Sequence, residues 1–319
     1  EAFGENYELP NLTAYSETCA AIGDVYWNHR LHNLTGNSEY FDVIERTMYN
    51  GLISGISLDG KQFFYPNAVE SDGVYKNNRG SCTRQSWFDC SCCPTNLIRF
   101  IPSIPGLIYS KSNDVLYVNL YASNHAKVAL DKTELEITQQ TNYPWDGKVA
   151  LTVTPKKESE FTIKFRVPGW AKNEVLPGDL YSYKNSASAK VTLTIDGKPF
   201  EFKEDKGYIS ITRKWKKGEI IKLDFPMEVR EVVTNAKVEG NIGKVALEYG
   251  PIVYAIEEID NPKNFDKITI NANGKFKVIK ENNLLEGVNT IQADKLKAIP
   301  YYSWSNRGVG KMKVWIDLK

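Results

Sequence analysis

Residues 94–123 read PTNLIRFIPSIPGLIYSKSNDVLYVNLYAS, and within them the spacing of apolar side chains changes period. Before this run the pattern is helical, with a proline placed for a first helical turn; from about Asp114 it alternates apolar and polar, as a strand does. Working back, LTAYSETCAAIGDVYWNHRLHNLTG predicts a helix over about 13–34, with Thr13 as cap and Glu17 four residues on. SEYFDVIERTMYNGLISGI predicts a second over 39–52, and the third begins at Pro94. Between the second and third lies a stretch rich in Gly, Asn and aromatics, and a loop that long inside a compact domain is usually functional.

Working forward, VLYVNLYAS, KVALTVTP, FTIKFRVPGW, KVTLTID, YISITRKW and IIKLDFPM alternate between DG, PG and KKGE turns, the signature of an antiparallel sandwich. From about residue 227, KVALEYGPIVYAI, KITINA, FKVIK, TIQADK and KVWID read as a second β module. The fold class expected is therefore α + β multidomain: a helical part over 1–108, a β-sandwich over 109–226 and a second β-sandwich module over 227–319. Three helices cannot enclose a core, because each must bury an apolar stripe against a neighbour. The helical part is thus expected to be the end of a larger domain, and the chain, which opens at Glu1 without a Met, to be processed or truncated.

The 319 residues include 42% hydrophobic and 25% charged side chains, enough for two or three domains. Forty basic against 39 acidic residues leave a net charge of +1, which draws the protein neither to nucleic acid nor to an anionic membrane. No stretch approaches the roughly 20 apolar residues of a membrane-spanning helix. Seven Trp and 18 Tyr suit stacking on sugar rings, and equally the packing of β-sandwich cores.

Three of the five cysteines, Cys90, Cys92 and Cys93, fall within DCSCCPTN at 89–96. A Cys92–Cys93 disulfide is strained, since adjacent Cα atoms lie only about 3.8 Å apart. Buried free thiols are one remaining reading, because Cys packs as a small hydrophobe. Zinc is the other: it wants about four N, S or O ligands, so the cluster needs a distant partner. The ETC segment offers Glu17 and Cys19 on one turn, and Glu17, Cys19, Cys92 and Cys93 would make a four-ligand site tying one helix to the turn before another. A carboxylate is an unusual ligand for a purely structural thiolate site, which hints at a working centre.

EAFGENYELPNLTAYSETCA, FFYPN, WFDCSCCPTN, RVPGWA and VALEYGPIVYA occur in this order. Together they resemble the C-terminal half of the zinc-dependent β-L-arabinofuranosidases of glycoside hydrolase family 127 and its close relatives, along nearly the whole chain. The resemblance implies the end of an (α/α)6 catalytic barrel followed by β-sandwich domains, a Zn²⁺ cofactor, and an arabinose-containing oligosaccharide or glycan as partner. It implies a retaining hydrolysis in which zinc-bound Cys92 is the nucleophile, Glu17, Cys19 and Cys93 share the metal, and Glu1 is the acid/base. Retaining glycosidases need two such groups about 5–5.5 Å apart. Tyr65 of FFYPN matches a substrate-contacting tyrosine, though a core aromatic beside Phe63 and Phe64 reads as well. Cys90 would sit behind the ligands, and Cys82 has no assigned role. His29, His32 and His125 lie outside the motifs and read as structural or surface residues. The family's sugar-binding histidines come from the barrel's other half, so residues 1–319 alone are expected to be inactive. Two alternatives stay open: a non-catalytic carbohydrate-binding protein with a structural zinc clasp, and a related glycosidase for a different sugar.

Overall fold

The computed structural model describes residues 4–187, 189–271, 274–293 and 296–319. Three α-helices, α1 (Thr18–Thr35), α2 (Glu39–Thr47) and α3 (Cys92–Phe100), precede a chain that is otherwise mostly strand. Helix α1 starts five residues later than the sequence pattern predicts. The segment before it lies extended against FFYPN: Asn67 N–H donates to the Ser16 carbonyl at 2.9 Å and Thr18 N–H to the Tyr65 carbonyl at 3.0 Å, with Glu17 bridged to Pro66. Those pairings use the backbone groups that an earlier helical turn would need. Gly36 ends the helix with φ of 65°, a left-handed turn that glycine adopts without cost.

Helix α2 is shorter than expected, because after Thr47 the chain widens into one π turn (Met48–Leu52) and a 3₁₀ turn (Ile53–Gly55). Thr18 Oγ1 occupies the space that a Cβ on Gly55 would take, 2.6 Å away, so α1 meets this turn at closest approach. Helix α3 begins two residues before Pro94, which puts Cys92 and Cys93 in its first turn. Its apolar side chains Leu97 and Phe100 join Ile22, Val25, Phe41, Ile44 and Leu52 in one helical core.

Among the described residues, the strands, all but one of them beyond residue 108, form sheets of five, six and eleven strands. Lys148–Pro155 and Glu219–Asp224 bury every second residue. From the six-stranded sheet, Leu151, Val153 and Ile221 pack on Ile163, Phe165 and Ile211 of the five-stranded sheet, so the two sheets share one core. Of the strands in these two sheets that the sequence pattern missed, the longest are Asn124–Ala129 and Glu134–Thr141, whose polar residues dilute the alternation. Pairing is antiparallel except where Val115–Val118 runs parallel to Ser159–Arg166 and Thr269–Ile270 parallel to Ile316–Leu318.

In the eleven-stranded sheet, Lys244–Tyr249 and Ile252–Glu257 are apolar on both faces because both faces are covered. One face packs Leu247, Tyr254 and Ile256 into the C-terminal core. The other meets Phe64 of the long loop, Tyr301 and Trp304. This sheet also recruits Glu70–Ser71 from the long loop, paired with Met312–Lys313, and Tyr181–Tyr183 from the middle of the chain. Fully buried Arg166 links the regions further: its guanidinium reaches Asp42 and Glu45 of α2, each at 2.5 Å.

Candidate metal centre

Two helix starts converge at the site. Glu17 is the extended residue before α1, Cys19 lies in the first turn of α1, and Cys92 and Cys93 open α3. Helix N-termini carry partial positive charge and free N–H groups, which favour thiolate and carboxylate there. One donor atom from each of the four residues falls within 4.8 Å of all the others. The Sγ atoms of Cys92 and Cys93 are 3.9 Å apart, and Glu17 Oε1 lies 3.8 Å from the first and 3.7 Å from the second. A tetrahedral metal with metal–sulfur bonds of about 2.3 Å has ligand–ligand edges of about 3.8 Å, so these donors could close around one metal ion with little movement.

The electrostatics agree with that fit. Burial pushes the Cys93 thiol well above its ordinary value, and burial likewise raises Cys19. Burial thus disfavours ionising Cys19 and Cys93 on their own, and a bound divalent cation would offset that cost. Cys93 is buried, whereas Glu17, Cys19 and Cys92 are half-buried, so the cluster opens toward solvent on the Cys92 side.

Tyr65 stands over that opening. Its hydroxyl lies 2.9 Å from Cys92 Sγ; this hydrogen bond first, and burial second, hold the phenol well above its ordinary pKa. Either atom can donate in that hydrogen bond. Around the ring sit Phe88 edge-on, Tyr15 tilted, and the Arg79 guanidinium 4.2 Å above its centroid. Cys90 is exposed and lies outside the four-residue group, with Sγ 3.8 Å from the Tyr65 hydroxyl. The backbone N–H of Cys92 and then the Tyr65 hydroxyl hold its thiol below the ordinary value. Cys82 is half-buried and also outside the group, as are the three histidines; Glu1 lies outside the described residues. His32 is buried instead against Tyr208, its Nε2 2.9 Å from the hydroxyl, and His125 is on the surface beside Thr138.

Sequence reasoning missed the residues that fix these ligands. Asn67 Nδ2 donates to the Ser16 carbonyl and to Thr18 Oγ1, both at 3.0 Å, and Asn67 Oδ1 accepts from Ser54 at 2.6 Å. Fully buried Asn78 clamps the long loop: its Oδ1 accepts from Tyr65 N–H, and its Nδ2 donates to the carbonyls of Phe63 and Thr83. The signal for Asn67 lay inside FFYPN itself, whereas Asn78 looks like any turn asparagine in NNRG.

Comparison with known proteins finds relatives along nearly the whole chain. Residues 1–106 match the catalytic domain of β-L-arabinofuranosidases of glycoside hydrolase family 127, residues 115–227 its middle domain, and residues 229–317 the family's C-terminal domain. A non-reducing end β-L-arabinofuranosidase of Bifidobacterium longum subsp. longum is 33% identical across 99% of this chain and 51% of its own length. The solved GH127 β-arabinofuranosidase BT3674 superposes with a TM-score of 0.95 at 48% identity, over 100% of this chain and 52% of that one. A GH127 β-L-arabinofuranosidase from Geobacillus stearothermophilus T6 does so with a TM-score of 0.89 at 39% identity, over 99% and 52%. The chain spans about half the length of each of these relatives. With all three family domains present in order and the fold shared end to end, the chain belongs to glycoside hydrolase family 127.

Proposed function

We propose that the protein carrying this chain is a retaining glycoside hydrolase that releases terminal β-L-arabinofuranose, or a similar sugar, from plant-type glycans. The observation that carries the reading is the meeting of Glu17, Cys19, Cys92 and Cys93 at two helix starts, with Tyr65 hydrogen-bonded to Cys92. In this reading residues 1–108 are the end of an (α/α)6 barrel, and 109–226 and 227–319 are β-sandwich modules. The sugar is the one for which the relatives are named.

Glu17, Cys19, Cys92 and Cys93 would hold zinc, whose charge keeps thiols ionised at neutral pH. The Cys92 thiolate attacks the anomeric carbon. As the C–S bond forms, the glycosidic C–O bond breaks and Glu1 gives its proton to the departing oxygen. In the second half Glu1 takes a proton from water, whose oxygen bonds to the anomeric carbon while the C–S bond breaks and Cys92 leaves as thiolate. Tyr65 donates to the Cys92 sulfur and offers its ring edge to the sugar.

The test uses the full-length gene product and a chromogenic β-L-arabinofuranoside. Cys92→Ser abolishes arabinose release while zinc stays largely bound, and mass spectrometry with a slow substrate finds the sugar on Cys92. A sugar attached to Glu17 would overturn the roles. Zinc-bearing protein that binds glycan but releases no arabinose would mark a structural clasp instead.

A further inference from the structure

Next to the candidate centre, a cleft of about 360 Å³ is lined by Arg79, Gln85, Trp87, Phe88, Asp89 and Cys90. We infer that this cleft is a subsite for the leaving-group side of the glycan, holding the sugar to which the released residue is attached. The inference rests on the hydrolase reading above and adds where the rest of the substrate lies.

Three observations carry it. The first is continuity: Cys90 lines the cleft, and its Sγ and that of Cys92 share the Tyr65 hydroxyl, at 3.8 and 2.9 Å. The cleft wall that Cys90 forms therefore adjoins the Cys92 sulfur, and Arg79, which lines the same cleft, packs on Tyr65 between them.

The second is the conformation of Arg79. It occupies a tight turn closed by Asn78 N–H to the Ser81 carbonyl at 2.8 Å, with φ of 51° at Arg79 and 95° at Gly80. An arginine gains nothing from a left-handed backbone, and such outliers persist where the surroundings enforce them. Here the enforcement is visible: the guanidinium stacks on Tyr65 at 4.2 Å and donates to Tyr15 Oη at 3.2 Å. Among the described residues Arg79 makes no ion pair with a carboxylate, which leaves guanidinium N–H groups to face the cleft.

The third is the chemistry of the wall. Trp87 is 54% exposed among the described residues and lines the cleft with its indole. A sugar ring has an apolar C–H face to lay on such an indole and a rim of hydroxyls to pair with a guanidinium, an amide and a carboxylate, supplied by Arg79, Gln85 and Asp89. Asp89 beside Arg79 disfavours a phosphate or an acidic sugar, and the polar rim disfavours a purely apolar ligand.

The experiment compares Trp87→Ala and Trp87→Phe with the wild-type full-length protein, on methyl β-L-arabinofuranoside and on a β-L-arabinofuranosyl disaccharide. The methyl glycoside has no second ring to place in the cleft. Relative to the methyl glycoside, kcat/KM for the disaccharide falls about tenfold in Trp87→Ala, mainly through KM, and Trp87→Phe restores most of it, as for one lost stacking contact. Equal losses on both substrates, or no change in the ratio, overturn the subsite. If the wild type hydrolyses neither, the hydrolase reading fails and calorimetric titration with the disaccharide decides the cleft separately. Binding that disappears in Trp87→Ala sustains it, and absent or unchanged binding overturns it.

Discussion

Cys93 is fully buried while Cys92 remains half-buried beneath Tyr65, so neighbours in sequence differ in reach: in the proposed reading Cys93 serves only the metal, whereas Cys92 also meets substrate. Cys93→Ala is accordingly expected to weaken zinc by more than the roughly 10–100-fold typical of residues that only support a ligand, read by competition with a chromogenic chelator. Zinc held as in the wild type would remove Cys93 from the set. His32 gives a second residue-scale expectation. Burial, ahead of the nearby His29 and Arg166, lowers its pKa from 6.5 to about 4, and Phe41, Tyr117 and Tyr208 close around the ring. The unfolded chain therefore takes up the proton first. Stability from this group is complete above about pH 6.5 and is lost as the pH falls toward 4, by roughly 2–3 kcal/mol. Urea midpoints at pH 7 and pH 5 should differ less in His32→Phe than in the wild type; an equal difference assigns the acid sensitivity elsewhere.

Among the elements, the loop between α2 and α3 does most to position the site, and Arg84 secures it. This buried guanidinium donates to three backbone carbonyls, of Ser54 (2.9 Å), Tyr302 (3.1 Å) and Trp304 (2.5 Å), and stacks 4.4 Å over Phe64. Burial lowers its pKa to about 10. Arg84→Met keeps much of the volume but strands those acceptors, so a loss of about 3 kcal/mol in denaturant stability is expected, along with weaker zinc binding. A change within experimental error would mean that the loop is held by its apolar contacts alone. The same loop shows where reading the sequence stopped. The donor residues were legible because thiols and carboxylates have few alternative roles when clustered, and the strands were legible where one face is buried and the other wet. The start of α1 was not, because the Ser16 carbonyl and the Thr18 N–H are taken up by Asn67 and Tyr65, some 50 positions away. Nor was Arg84, since no local pattern distinguishes an arginine that will bond distant carbonyls from one that will meet water. Trp87 and Phe88 are adjacent aromatics in the sequence, yet one ends exposed and the other buried.

At the scale of the molecule, the contacts among the three regions argue for a single unit. Arg166 joins the two packed sheets to α2, Arg46 reaches Glu248 at 2.5 Å, and Asn50 exchanges hydrogen bonds with the Pro251 carbonyl and Val253 N–H. Calorimetry of the zinc-bound protein should therefore show one cooperative transition for residues 1–319, with a midpoint that falls several degrees on chelation and returns with added zinc. Separate transitions would show that the buried ion pairs do not couple the regions. The pairing of Glu70–Ser71 with Met312–Lys313 also bears on how the protein is made. The loop that bears Tyr65 and Cys90 is translated about 240 residues before the strand it docks on. At about 5–20 residues per second, the ribosome needs on the order of 10–50 s to bridge that gap. Through that interval the nascent thiols stay open to oxidants and to competing metals, so the cell has to protect them before the fold can.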